Sequence, residues 1–328
     1  MLSVHLSPAP PGPSRVELRH ERVPRVPEGF ARIRLLAGGI CSTDLELQRG
    51  YYGFSGTPGH EFVGEVVAVS DASGHAKWIG KRVVGEINLA CGACDWCRRG
   101  LGRHCPIRAV LGIVKHPGAF REFLTLPVRN LHAVPDAIST RQAVFVEPLA
   151  AACEILDQVK IPRGDRVAVL GDGKLGLLIA QVLTAHGARV HLLGKHRGKM
   201  KIAERAGASA EKVPRKLPRA AYRWVVDATG SPAGLRAAIT MCEPRGTVIM
   251  KSTVHGLVEI DTAPVIVDEI TLVGSRCGRF EPALRLLKSG RVRVDELISA
   301  EFPLDQAPAA FAAAATKGVL KVLLRPPD

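Results

Sequence analysis

The spacing of apolar and polar positions changes character along the chain. Over the first 148 residues the apolar runs are short and bounded by glycine. FARIRLLAGGI at 30–40, FVGEVVAVS at 62–70 and GKRVVGEI at 80–87 read as β-strands. From residue 149 strands and helices alternate. DRVAVLG (165–171) has the continuous apolar run of a strand buried on both faces, and KLGLLIAQVLTAHG (174–187) has helical spacing and stops at a glycine. ARVHLLG (188–194), YRWVVDATG (222–230), GTVIMKS (246–252) and ITLVGS (270–275) are further strands, and RKLPRA (215–220) reads as a loop. This alternation predicts a doubly wound parallel sheet with helices on both faces. Beyond 275 come two helical stretches, FEPALRLLKSG and QAPAAFAAAATKG, and the strand LKVLLRP. The expected organisation is an α/β protein: a β-rich domain over 1–148, a doubly wound domain over 149–275, and a segment, 276–328, that returns to the first.

Composition narrows the choice of class. At 328 residues and 46% apolar content the chain can bury a sizeable core, which excludes disorder. No apolar run approaches the roughly 18 residues of a membrane span, and the N-terminus lacks a basic start followed by an apolar block. A cytoplasmic protein with no membrane partner is expected. The net charge of +14 is spread along the chain rather than gathered in a tail, so nucleic acid is not the expected partner.

Eight cysteines without a secretion signal point to reduced thiols and metal binding. Four of them, Cys91, Cys94, Cys97 and Cys105, are separated by two, two and seven residues. Thiolates at these intervals can surround one tetrahedral zinc and fill its shell, which makes the 91–105 lobe a structural staple with no open place for substrate. Arg98, Arg99 and Arg103 are placed to offset its charge. A catalytic zinc needs three protein ligands and an open position. Cys41, His60, Glu61 and Glu147 are candidates, but their spacing alone does not single them out.

The stretch VAVLGDGKLGLLIAQ carries Gly171, Gly173, Lys174, Leu175 and Gly176, a Gly-x-Gly-x-x-Gly turn between a strand and a helix. Such a turn cradles a pyrophosphate at the helix N-terminus. The acidic residue that usually ends the second strand and binds the ribose of NAD is replaced here by Gly194. With no carboxylate present to repel a 2′-phosphate, and with Lys195, His196, Arg197 and Lys199 next in sequence, NADP(H) is expected over NAD(H).

Taken in order, the Cys-x-Thr-Asp stretch at 41–44, Gly-His-Glu at 59–61, the four-cysteine lobe, Glu147-Pro148, the glycine-rich turn and the tail EFPLDQAPAAF cover nearly the whole chain. Together they resemble the zinc-dependent medium-chain dehydrogenase/reductase superfamily, the alcohol, sorbitol and threonine dehydrogenases. The resemblance implies a GroES-like catalytic domain and a Rossmann cofactor domain. It also implies one catalytic zinc beside the structural one, a small alcohol or ketone as substrate, and a homodimer or homotetramer. By the same resemblance Cys41 and His60 are zinc ligands, with Glu61 and then Glu147 offered for the third place. Asp44 orients the histidine, and Thr43 relays the substrate proton. In several relatives a histidine three residues past that hydroxyl completes the relay, and here the position is Glu46. Two other readings stand beside this one: a zinc-independent quinone or enoyl reductase on the same fold, and a nucleotide-binding protein without activity.

Overall fold

The computed structural model describes residues 1–70, 72–253 and 257–327. Asp328, the last residue of the expected returning segment, lies outside them. The chain divides into two compact units, one formed by residues 1–147 and 297–328, the other by 148–296.

The first unit opens with a hairpin, β1 (Leu2–Ala9) and β2 (Gly12–His20). Next come β3 (Phe30–Ile40), β4 (Glu61–Val69) and β5 (Arg82–Gly85), then a small three-stranded sheet of β6 (Asn88–Leu89), β7 (Ala109–Leu111) and β8 (Lys115–His116). After β9 (Phe123–Pro127) and β10 (Leu131–Ala133), the unit is completed late in the chain by β17 (Ile298–Pro303) and β18 (Lys321–Arg325). The main sheet runs β10-β5-β4-β3-β18-β17, with β9 also paired to β3. Val4, Leu6, Ile40, Leu47, Phe120, Phe311, Val322 and Leu324 form one of its buried clusters. The ring of Phe120 meets that of Phe311 edge-on at 6.1 Å, a favoured aromatic geometry.

The second unit holds β11 (Arg166–Leu170), β12 (Arg189–Gly194), β13 (Ser209–Lys212), β14 (Tyr222–Asp227), β15 (Cys242–Met250) and β16 (Thr271–Gly274). All pair in parallel, in the order β13-β12-β11-β14-β15-β16. This is the third-second-first-fourth-fifth-sixth order of a dinucleotide-binding sheet, in which ligands bind off the carboxyl ends of the strands. The helix Lys174–His186 ends as its sequence predicts, with Gly187 in the left-handed region at φ 105°.

Residues 276–296 group with this second unit, and the return to the first begins at Leu297 rather than at 276. The packing explains the difference. A side chain at Gly278 would run into the carbonyl of Ala150, and Arg279 pairs with Asp157 at 3.1 Å, so the start of the helix Phe280–Lys288 is fastened to the helix Val146–Gln158. No helix among the described residues is long and apolar enough to cross a membrane.

Candidate metal centres and cofactor turn

Three neighbouring strands gather the first cluster. Cys41 follows the end of β3, Glu61 begins β4 opposite Gly39, and β18 pairs with the other side of β3 at Gly38–Ile40. The ligand atoms of Cys41, His60 and Glu61 lie within 4.8 Å of one another, with His60 and Glu61 buried. Sulfur, imidazole nitrogen and carboxylate oxygen are a donor set suited to zinc, and three protein ligands leave a fourth place open. Glu147, the second residue of the helix Val146–Gln158, is half-buried and is not part of this close triad.

Asp44 serves two purposes. In the helix Ser42–Gln48 its Oδ2 accepts from the N–H of Cys41 at 2.8 Å, and its Oδ1 accepts from the N–H of Gly59 at 3.1 Å. The same Oδ1 faces His60 Nδ1 at 3.4 Å, and that nitrogen is buried without a hydrogen-bond partner among the described residues. Burial opposes charge on His60, but the Asp44 carboxylate and Cys41 outweigh it and raise the pKa well above the ordinary histidine value. With Nδ1 turned to Asp44, Nε2 is the nitrogen left for a metal, the arrangement in which an outer carboxylate fixes a ligand ring. Gly59 permits this approach: its φ is 101°, and a Cβ there would strike the ring of Phe120 at 2.6 Å. Thr43 is half-buried, its Oγ1 3.9 Å from Cys41 Sγ. Glu46 is held by Arg49 at 2.5 Å.

Lys321 was not marked by the sequence reading. Its ammonium is buried and ion-paired with Glu61 Oε2, lies 3.4 Å from the carbonyl of Ile40, and faces the ring of Phe145 at 5.9 Å. Burial works against its charge, yet Glu61 and Cys41 keep its pKa above the usual lysine value. Gly39 makes room for the pair, since a Cβ there would come within 2.8 Å of Glu61 Oε2 and 3.2 Å of Lys321 Cδ. The available signal was a lysine followed directly by the apolar run Val322–Leu324. Lys321→Met is expected to destabilise the metal-free protein by about 3–5 kcal/mol, because it strands a buried carboxylate. Urea unfolding of both proteins in the same chelating buffer measures the difference.

The four-cysteine lobe closes on itself. Sγ separations are 3.8 Å for Cys91–Cys97, 3.5 Å for Cys94–Cys97 and 3.8 Å for Cys94–Cys105. A tetrahedron with Zn–S bonds of about 2.3 Å has edges of about 3.8 Å, whereas a disulfide needs about 2.05 Å. The geometry fits one tetrathiolate ion. The N–H groups of Ala93 and Cys94 each lie 3.4 Å from Cys91 Sγ and bring its pKa down to about 6. Arg98 turns to Asp95 and the carbonyl of Ala93, while Arg99 lies over Trp96 at 5.4 Å, so these two arginines brace the lobe's own turns.

In the second unit Gly171 has φ 110°, and a Cβ on Gly176 would meet the Gly171 carbonyl oxygen at 2.0 Å, so turn and helix require glycine at both places. Gly173 is the N-cap of the helix Lys174–His186, and nothing described stands within 4 Å of where its Cβ would be. That open backbone, with the N–H groups of Lys174 and Leu175 in the first turn beyond it, fits a pyrophosphate. Gly194 ends β12; Lys195 and Arg197 are exposed, and Arg197 pairs with Glu204 at 3.2 Å. One expectation needs correction: the turn is not without a carboxylate. Asp172, from the glycine-rich turn, places Oδ2 2.8 Å from the N–H of Lys195 and 2.5 Å from that of His196, and 3.1 Å from His196 Nδ1. The acid arrives from the first strand's turn, so reading the end of the second strand alone missed it.

The S/N/O triad, the four gathered thiols and the glycine-rich turn are together what a zinc-binding dehydrogenase would require. Residues 27–136 match the alcohol dehydrogenase GroES-like domain, and residues 175–289 match the zinc-binding dehydrogenase family. D-altritol 5-dehydrogenase of Agrobacterium fabrum is 30% identical over 309 residues, 89% of this chain and 90% of that protein. Erythritol/L-threitol dehydrogenase of Mycolicibacterium smegmatis is 29% identical, covering 90% of each. Among solved structures, a zinc-binding dehydrogenase of Sinorhizobium meliloti 1021 bound to NADP superposes with a TM-score of 0.88 at 27% identity, over 99% of both chains. The chain belongs to the zinc-dependent medium-chain dehydrogenase/reductase superfamily. It is an NAD(P)-dependent dehydrogenase of the polyol and alcohol type.

Proposed function

We propose that the protein interconverts an alcohol of the polyol class and its ketone or aldehyde, using NADP(H) in preference to NAD(H). The observation that carries this reading is the convergence of Cys41, His60 and Glu61 within 4.8 Å. In it these three residues hold a catalytic zinc, Glu61 rather than Glu147 takes the third place, and Cys91, Cys94, Cys97 and Cys105 hold a structural ion. A zinc held there would supply a Lewis acid for the negative charge an alcohol oxygen gains on losing its proton, and a bound nicotinamide would supply the hydride acceptor.

The chain's own residues prepare that chemistry. Asp44 fixes the imidazole of His60, and Lys321 offsets the charge of Glu61 in a buried setting where an unpaired carboxylate would be costly. Thr43, beside Cys41, receives the substrate proton. Glu46 is engaged by Arg49, so the relay passes from Thr43 to water rather than through this side chain. At the other end of the reaction, Gly171, Gly173 and Gly176, with the N–H groups of Lys174 and Leu175, take the pyrophosphate. Lys195, His196 and Arg197 take the 2′-phosphate.

The test is a screen of NADP+ and NAD+ against a polyol and alcohol panel, followed by absorbance of the reduced nicotinamide, with metal analysis alongside. Turnover with NADP+ ahead of NAD+ and two zincs per chain is expected. A strong preference for NAD+ refutes the 2′-phosphate argument. An enzyme free of zinc that reduces quinones or enones belongs to the other branch of the fold.

A homodimer formed along β16 completes the proposal. This strand is the sheet's edge and pairs only with β15 among the described residues. Near it in sequence, the helix Ala263–Val267 leaves Ile266 73% and Val267 78% exposed. An open edge with bare apolar residues is what a monomer avoids. Replacing both residues by aspartate is expected to shift the species seen by light scattering from dimer to monomer. An unchanged dimer places the interface elsewhere.

A further inference from the structure

Asp172 and Gly194 fit each other. A Cβ built on Gly194 would come within 2.7 Å of Asp172 Cβ and 2.8 Å of its Oδ2, so the aspartate fills the space that a side chain at the end of β12 would need. Its carboxylate is buried and takes the backbone N–H groups of Lys195 and His196, at 2.8 and 2.5 Å, as well as the His196 ring at 3.1 Å. Successive N–H groups at the mouth of the helix Arg197–Arg205 form a ready anion site, and here the protein's own anion fills it. Burial alone would push this carboxyl up, but the N–H groups of His196 and Lys195 outweigh it and hold the pKa below the usual aspartate range. The group is therefore charged at neutral pH.

In this fold the turn after the second strand meets the adenosine ribose, where a hydroxyl distinguishes NAD and a phosphate distinguishes NADP. We propose that Asp172 sets the dinucleotide selectivity of this enzyme by occupying the N–H groups of Lys195 and His196 with negative charge, as a counterweight to the basic side chains around it. This inference rests on the assignment of that turn to the ribose made above. Lys195, His196 and Arg197 attract a 2′-phosphate, while Asp172 withholds the backbone donors and repels the same group. The balance gives a moderate NADP(H) preference rather than a strict one. Gly194 is part of the device, because an acid at that position has no room while Asp172 is in place.

The experiment is equilibrium binding to the free, zinc-loaded protein by titration calorimetry, with NADP+, NAD+, 2′-AMP and 5′-AMP as titrants. Asp172→Asn removes the charge and keeps the shape; Asp172→Ala also frees the N–H groups. Both are expected to raise the ratio of NADP+ to NAD+ affinity about tenfold or more, with 2′-AMP gaining over 5′-AMP in parallel and the alanine variant gaining most. A general loosening of the turn would weaken all four ligands together and cannot produce this gain. A ratio that stays within about twofold of wild type in both variants, or that falls, overturns the proposal and leaves Asp172 as a brace. Wild-type protein that binds NAD+ more tightly than NADP+ sinks the cofactor preference proposed above, but a variant-dependent rise in the ratio would still support the role of Asp172.

Discussion

Cys41→Ser is expected to lower turnover by about three orders of magnitude or more and, on the proposed assignment, to reduce the zinc content from two per chain to one. The magnitude follows from what the ion supplies: stabilisation of charge on the substrate oxygen is worth several kcal/mol, and each 1.4 kcal/mol or so is tenfold in rate. Serine keeps the size of the side chain but loses the soft thiolate. Cys41 also anchors the cluster through its backbone, since its N–H is held by Asp44 at 2.8 Å. That contact survives the substitution, so the fold around the site is expected to persist and the melting temperature to change little. Steady-state kinetics and elemental analysis on the same preparation measure both effects. Turnover retained within tenfold of wild type would show that Cys41 is not a ligand of the working metal.

Cys94→Ser acts on stability instead. Cys94 Sγ is in contact with both Cys97, at 3.5 Å, and Cys105, at 3.8 Å, so its loss opens the tetrathiolate on two edges. Structural zinc contributes its binding energy to folding, about 10–16 kcal/mol in small zinc domains, and losing one of four ligands forfeits a sizeable part of it. A fall in the melting temperature on the order of 10 °C is expected, with one zinc lost per chain and turnover per remaining catalytic zinc close to wild type. The two substitutions are thus expected to separate the two proposed ions: one removing activity and sparing the fold, the other doing the reverse. A Cys94→Ser protein with unchanged melting and two zincs would contradict the staple.

The fold was legible wherever burial imposes a pattern. β3 spans Phe30–Ile40, the run read from the sequence, because alternate residues enter the core. The strands of the parallel sheet stand out because β11 and β14 are buried almost throughout. β13, with the sequence Ser-Ala-Glu-Lys, was invisible for the opposite reason: it is the outer strand, mostly exposed, and carries no apolar signature. The hairpin of β1 and β2 was missed because prolines and polar residues crowd its turn, and only Val4 and Leu6 of β1 join the buried cluster. The site divides in the same way. The four cysteines of the lobe announce themselves by type and spacing, whereas Cys41, His60 and Glu61 were picked out only through the family resemblance. Lys321 and Asp172 matter through partners 260 and about 23 residues away, contacts set by sheet order and turn packing that no local pattern encodes. The Gly194 argument was incomplete for that reason: it considered the end of one strand, whereas the carboxylate came from the neighbouring turn.

The most direct test of the central claim is anomalous diffraction from crystals of the protein at the zinc absorption edge. The account predicts two peaks per chain, one enclosed by Cys91, Cys94, Cys97 and Cys105 and one contacted by Cys41, His60 and Glu61. A peak in the four-cysteine lobe with none at Cys41 and His60, in protein that turns over alcohol, would contradict it.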